Sequence, residues 1–250
     1  LPKANKEKHK LNLLGPSRVD HFVGIWVNRN AKRKRPNDVL ASWKLFLDRM
    51  ERSEGHRKAT LIMHTEPTDQ EGPNLFATAA ELGIQDNVFF SRERLEFEKM
   101  NVLYNITDFC INISFAEGFG LSTLEAMMTG TPIIASKTGG LTRQVVNYKT
   151  GKENGIALDI DLQTLVGSQT VPYIYEDYVT NKNTAQGIMK LYKAWKRRPE
   201  EYEKLRKKVL NYARSEFSLQ KTVDLWDASM MKAINEFKEN KDKASWQIFE

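Results

Sequence analysis

Two glutamates and a pair of glycines are the first residues in this chain that could do chemistry together. The run Ser114-Phe115-Ala116-Glu117-Gly118-Phe119-Gly120-Leu121-Ser122-Thr123-Leu124-Glu125 leaves an apolar, strand-like segment, passes two glycines and enters a helical pattern. A helix start after a strand presents unpaired backbone N–H groups and the positive end of the helix dipole, which suits a phosphate. Glycine has no Cβ, so the backbone there can approach a ligand closely. Glu117 and Glu125 have seven residues between them. One falls at the loop mouth and the other about a turn and a half into the helix, so both can face one pocket. A carboxylate accepting from two hydroxyls can hold a ribose diol or a sugar; the plainer alternative is a capped helix with two solvated glutamates. Residues 29–35 form a tight basic cluster, and a local cluster of this kind fits an anionic ligand. For Lys32 and Arg33 a solvated or nucleic-acid-binding run is the alternative.

The elements that must position these residues alternate along the chain. The apolar, β-branched run 21–27 reads as a buried strand, and the basic cluster follows it directly. Val39, Leu40, Trp43, Phe46, Leu47 and Met50 then recur at helical spacing, with Asn37 or Asp38 after Pro36 as the cap. Further strands are expected at 59–63, 88–90, 109–114, 132–135 and 155–158. Helices are expected at 75–82, 95–104, 121–128 and 142–146. Such alternation with short connections means an α/β, Rossmann-like parallel sheet with helices on both faces. Ligands of such sheets lie beyond the carboxyl ends of the strands. After residue 160 the cycle stops. Segment 162–183 is rich in Tyr, Val and Pro, and helices are expected at 184–195, 199–216 and 220–237.

Composition sets the outer bounds. The chain has 250 residues, 40% hydrophobic and 28% charged, with a formal net charge of +6; these are ordinary globular values. No apolar stretch approaches the ~20 residues that span a bilayer. The single cysteine, Cys110, excludes an internal disulfide and is compatible with a reducing cytosol. Within Phe109-Cys110-Ile111 it reads as a small buried hydrophobe rather than a reactive thiol. The lysine-rich start has no hydrophobic segment and is no secretory signal; residues 1–18 read as a linker or a truncated N-terminal segment and 238–250 as a charged tail.

Glu117-Gly118-Phe119-Gly120-Leu121, Leu124-Glu125-Ala126-Met127 and Gly130-Thr131-Pro132 together closely resemble the E-x7-E signature of family-4 (group 1) retaining glycosyltransferases. The resemblance runs over residues 19–160. It implies the C-terminal, donor-binding half of a two-domain GT-B fold, here residues 19–237 with its helical extension. It also implies that Glu117 contacts the transferred sugar and Glu125 holds the ribose hydroxyls. Gly118 and the backbone of Phe119, Gly120 and Leu121 would face the diphosphate or sugar, and Gly139 and Gly140 would lie close to the donor. In the loop after the first strand the family carries an arginine and, six positions on, a lysine. These fall on Arg29 and Arg35, with Pro36 in place of the following glycine and Lys34 as the competing cation. Members of this fold use no bound metal, so fixed cations must stabilise the departing diphosphate, a task to which arginine brings two hydrogen bonds and a permanent charge. The base is expected at the loops holding His64-Thr65-Glu66 and Ser91-Arg92. Only their location carries over, and His64 has a structural reading as good as the functional one. Segment 171–178 resembles an insertion whose aromatics cover the donor site, cover a domain interface or simply pack.

The resulting expectation is transfer of a sugar from a nucleoside diphosphate sugar, with retention of configuration and with no cofactor or metal. The expected partners are the donor and an N-terminal acceptor domain of roughly 150–200 residues that this chain does not contain. The acceptor itself, whether glycan, lipid or protein, is open. Nucleic acid is not expected, membrane association is expected only through parts outside this chain, and the location is cytoplasmic. Alone, the chain should bind donor without transferring sugar, leaving Trp226, Met230, Met231 and Trp246 exposed. A noncatalytic nucleotide-sugar-binding module acting with a partner chain is the alternative. A basic nucleic-acid-binding domain is a third reading, which the paired carboxylates oppose.

Overall fold

Phe22–Val27 (β1) is buried along nearly its whole length and forms the middle of a parallel sheet, as a strand covered on both faces must. A computed structural model describes residues 3–240. In chain order α1 (Lys3–Leu14) precedes β1, and α2 (Pro36–Glu54), β2 (Ala59–His64), α3 (Leu75–Glu81), β3 (Val88–Ser91) and α4 (Phe97–Ile106) follow it. Next come β4 (Phe109–Asn112), α5 (Leu121–Met128), β5 (Ile133–Ser136), α6 (Gly139–Val145) and β6 (Gly155–Leu158). The chain continues through β7 (Leu162–Val166), β8 (Ile174–Tyr178), α7 (Asn181–Arg197), α8 (Pro199–Glu216) and α9 (Leu219–Asn240). It divides into two compact units, Leu1–Asn211 and Tyr212–Glu250.

The first unit holds a six-stranded sheet in the order β3-β2-β1-β4-β5-β6, every pair parallel. The order reverses between β1 and β4, so the loops leaving these two strands diverge and open a crevice at their carboxyl ends. Helices α2 and α7 lie against each other and share an aromatic core with the sheet. Phe22, Trp43, Phe46, Phe109 and Tyr192 are buried there, with Phe22 and Phe109 stacked at 5.1 Å between centroids.

Four local features differ from the sequence reading. The residues read as a linker contain α1, which lies against α4. Its Lys6 and Lys10 ammonium groups reach the buried Asp108 carboxylate at 2.9 and 3.4 Å, and Val23 N–H donates to the same group at 2.8 Å. Burial acts to raise the Asp108 pKa, but the two ammoniums and that N–H hold it below its ordinary value. The helix is held by charge rather than by an apolar stripe, so periodicity does not show it. Second, α2 starts at Pro36 after an Arg35 N-cap with φ 56°, and no side chain caps it; proline at the first position presets the helical φ by itself. Third, α6 begins at Gly139, three residues before the expected start. Fourth, most of segment 162–183 is an antiparallel hairpin, β7–β8, with Leu162, Leu165, Tyr173 and Tyr175 exposed.

The second unit contains the end of α8 and α9. Helix α9 runs beyond residue 237 to Asn240 and buries no side chain. Trp226, Met230 and Met231 are exposed, as are Leu219 and Phe237; Trp246 and residues 241–250 of the charged tail lie outside the described residues. Among the described residues no helix is long and apolar enough to cross a membrane.

Candidate functional site

The loops leaving β1 and β4 are stitched together residue by residue. After β4, Asn112 Oδ1 accepts from the Ser114 N–H at 3.1 Å and its hydroxyl at 2.6 Å, turning the chain. Phe115 N–H then donates to the Arg33 carbonyl at 3.0 Å, and the Arg33 guanidinium donates to the Ala116 carbonyl. One residue on from each, the Lys34 ammonium pairs with the Glu117 carboxylate. The third basic residue, Arg35, also reaches this loop, from within the core.

The glycine loop is locked from two sides. Gly120 takes φ 86° as the N-cap of α5, a backbone conformation that favours glycine. Gly139 and Gly140 let the start of α6 press onto the loop: a Cβ on Gly139 would stand 2.0 Å from the Glu117 carbonyl oxygen, and one on Gly140 2.5 Å from that of Gly118. The buried Gln144 amide donates to the carbonyls of Phe119 and Gly120 at 2.6 and 3.1 Å. Its oxygen lies 2.6 Å from the Thr123 hydroxyl. Glu117 is thereby held on a fixed backbone.

A cavity of about 410 Å³ opens here, and Asn28, Arg29, Lys34, Glu117 and residues 119–122 line it. It combines cations, one carboxylate and a helix start, which suits an anion carrying hydroxyl groups. Arg29 reaches it from an exposed position, its guanidinium 2.9 Å from Asp69 and 3.0 Å from Glu71. The hydrogen bond from Arg29 is the main cause that holds Asp69 below its usual carboxylate range.

Of the residues singled out in the sequence, Arg29, Lys34, Glu117, Phe119, Gly120 and Leu121 meet in this cavity, and Gly118, Gly139 and Gly140 form the backbone behind it. Arg35 does not reach it. Its side chain is fully buried, donating to Asp38 at 3.0 Å and to the carbonyls of Ile113 and Val179 at 3.3 and 2.9 Å. Its guanidinium lies 4.8 Å from the Phe115 ring centroid and 4.2 Å from that of Tyr178. The reason is its backbone: the left-handed turn at Arg35 sends the side chain into the core and leaves Lys34 facing Glu117.

Glu125 is exposed on α5 and outside the cavity lining; its Oε2 accepts from the Tyr104 hydroxyl at 2.8 Å. Burial, with Cys110 and Glu125 as neighbours, pushes the Tyr104 pKa far up, so the hydroxyl stays a donor. Ser91 and Arg92 line a different cavity, about 760 Å³, at the sheet edge between α1 and α4. Ser91 Oγ is 2.9 Å from His64 Nδ1, and Arg92 is 3.4 Å from Glu66. Burial lowers the His64 pKa, which keeps that ring neutral at pH 7. Cys110 is buried with its thiol pushed up by desolvation, so it is not a nucleophile. Sequence reasoning did not find Tyr104, Thr123 or Gln144. The only local signal is Gln144, a polar residue between the apolar Leu141 and Val145.

Residues 16–159, 144 of the 250, match the family model for glycosyl transferases group 1. The D-inositol 3-phosphate glycosyltransferase of Corynebacterium urealyticum is 33% identical over 135 residues, covering 49% of this chain and 31% of that protein. The enzyme of the same name from Acidothermus cellulolyticus is 36% identical over 134 residues, covering 53% and 30%. The chain thus spans about a third of the length of these relatives. Among solved structures, Anabaena Alr3699/HepE in complex with UDP and glucose superposes with a TM-score of 0.67 at 16% identity, over 93% of this chain and 53% of that one. The C-terminal domain of a group 1 glycosyl transferase (LpcC) from Francisella tularensis gives 0.61 at 17% identity, over 87% and 95%. At these identities the likeness is one of fold, and the six-stranded parallel sheet with its helices is the Rossmann-like half of the GT-B fold. The family model covers more than half of the sequence, including both loops of the cavity, and the chain belongs to the group 1 glycosyltransferases.

Proposed function

We propose that this chain binds the sugar donor for a retaining, metal-independent glycosyl transfer of the family-4 type, and that the donor is a nucleoside diphosphate sugar. The observation that carries this reading is the Lys34–Glu117 pair beside the start of α5. Without ligand the two charges satisfy each other. A donor offers each a better-matched partner, the diphosphate for Lys34 and a sugar hydroxyl for Glu117. Arg29 at the cavity mouth adds a second cation, and Glu125, steadied by Tyr104, takes the ribose diol. UDP is the first nucleotide to test, because it occupies the HepE structure.

In the proposed step the bond between the sugar's anomeric carbon and the β-phosphate oxygen breaks. The acceptor oxygen bonds to the same face of that carbon, and its proton passes to the leaving phosphate. No protein nucleophile is needed; Glu117 orients the sugar, and Lys34 with Arg29 stabilises the charge that develops on the phosphate. The acceptor, an acceptor domain that positions it and a cytoplasmic location belong to the same proposal.

Calorimetry with UDP, GDP, ADP and the matching nucleosides tests the reading. Lys34→Ala should weaken the diphosphate far more than the nucleoside. Glu125→Gln should cost roughly 1.5–3 kcal/mol, about a ten- to hundredfold loss, by weakening charge-assisted bonds to ribose. A chelator should change neither. Equal losses of nucleoside and diphosphate in Lys34→Ala would overturn the assignment.

A further inference from the structure

Asn28 directly follows β1 and lines the cavity that holds Lys34 and Glu117. Its side-chain nitrogen is shielded from solvent and has no hydrogen-bond partner. A buried amide N–H without an acceptor destabilises a fold, and native structures retain few of them. The neighbours indicate what would satisfy this one. Lys34 is engaged by Glu117 and Arg29 by Asp69 and Glu71, so both cations at this wall have protein acceptors, while the Asn28 amide nitrogen has none. The cations and the helix start favour an anionic acceptor in the same space.

We propose that Asn28 is a donor-recognition residue whose amide turns toward the cavity as ligand enters and donates to a non-bridging oxygen of its diphosphate, beside Lys34. This rests on the reading of the cavity as a nucleoside diphosphate site. Being neutral, Asn28 adds direction rather than charge: it fixes where one phosphate oxygen lies while Lys34 and Arg29 supply attraction. The cost of its unmade hydrogen bond falls on the free protein and is relieved in the complex, so stability and affinity should respond to its removal with opposite signs.

Thermal melting and calorimetry of the 250-residue chain test this, with UDP, inorganic pyrophosphate and uridine as probes and GDP and ADP as comparison nucleotides. Asn28→Ala should melt at or above the wild-type temperature without ligand, bind UDP and pyrophosphate roughly ten- to a hundredfold more weakly, and bind uridine as the wild type does. Asn28→Asp, which sets a carboxylate against the phosphate, should lose more UDP affinity than Asn28→Ala. If the wild type binds UDP and Asn28→Ala binds it equally well, Asn28 has no such role and the reading of the cavity stands. A lowered melting temperature with equal loss of UDP and uridine would make Asn28 a structural residue. If the wild type binds none of UDP, GDP and ADP, the reading of the cavity fails and this assignment falls with it.

Discussion

Arg35 holds φ at 56°, a left-handed conformation that costs a residue with a Cβ about 1–2 kcal/mol. Its guanidinium offsets that cost by fastening three segments: Asp38 on α2, the Ile113 carbonyl after β4 and the Val179 carbonyl after β8. Arg35→Ala should therefore destabilise the chain by about 2–4 kcal/mol, because it leaves buried carbonyls unpaired. Arg35→Gly should cost about 1 kcal/mol less, since glycine accepts the left-handed turn. Lys34→Ala also leaves a largely buried partner, Glu117, unpaired, but Glu117 borders the open cavity, so this variant should lose less stability than Arg35→Ala and more UDP affinity. Urea unfolding and UDP calorimetry on the three variants check this; a well-folded Arg35→Ala that loses UDP more than Lys34→Ala would return the role to Arg35. The same geometry explains why residue spacing pointed to Arg35 while Lys34 is the residue that lines the cavity. Among the described residues Arg35 alone, apart from glycines, has a positive φ, the conformation expected of a glycine, and this leaves Lys34 toward the cavity. An arginine gives no sign in sequence that it will adopt a glycine's conformation. Glu117 was legible because it lies in a contiguous motif. Tyr104 and Gln144 were not, because their hydrogen bonds join residues 21 to 25 positions apart.

At the scale of elements, strands and helices with strong apolar patterns were legible to within a few residues, β1, α5 and β6 among them. Helix α1 was not, because its hold on the fold is the pair of lysines at Asp108, about a hundred positions away in sequence. This predicts a pH dependence. The Asp108 pKa lies below its ordinary value in the folded chain, so its stabilising contribution is present in full above about pH 4, the unfolded value. It is lost as pH falls through the lower folded value. Asp108→Asn should destabilise the chain by about 3–5 kcal/mol at pH 7, because it strands Lys6 and Lys10 with an uncompensated charge. That difference from wild type should shrink as acid protonates Asp108. Urea unfolding of both proteins from pH 7 down to pH 2.5 measures it; a difference independent of pH would mean that α1 is held by packing.

At the scale of the whole molecule, the cavity and every element around it lie in the first unit, whereas α9 belongs to the second and buries no side chain. Isolated helices are marginal in water, and most helical stability in proteins comes from packing an apolar face. Backbone hydrogen bonds in α9 should therefore open with a small free energy, and those of β1 and β4 near the global value. A ligand stabilises only the units whose unfolding releases it. UDP at a hundred times its Kd should add about 2.7 kcal/mol to the first unit. For a unit of this size that raises the melting temperature by about 5–11 °C. In hydrogen exchange, amides of β1 and β4 that exchange through global opening should slow by about a hundredfold. Those of α9 should exchange fast with or without UDP. A chelator in the buffer should alter neither result, because Lys34, Arg29 and Asn28 are the groups proposed to meet the diphosphate. Protection of α9 that rises in step with β1 would show the two units unfolding as one.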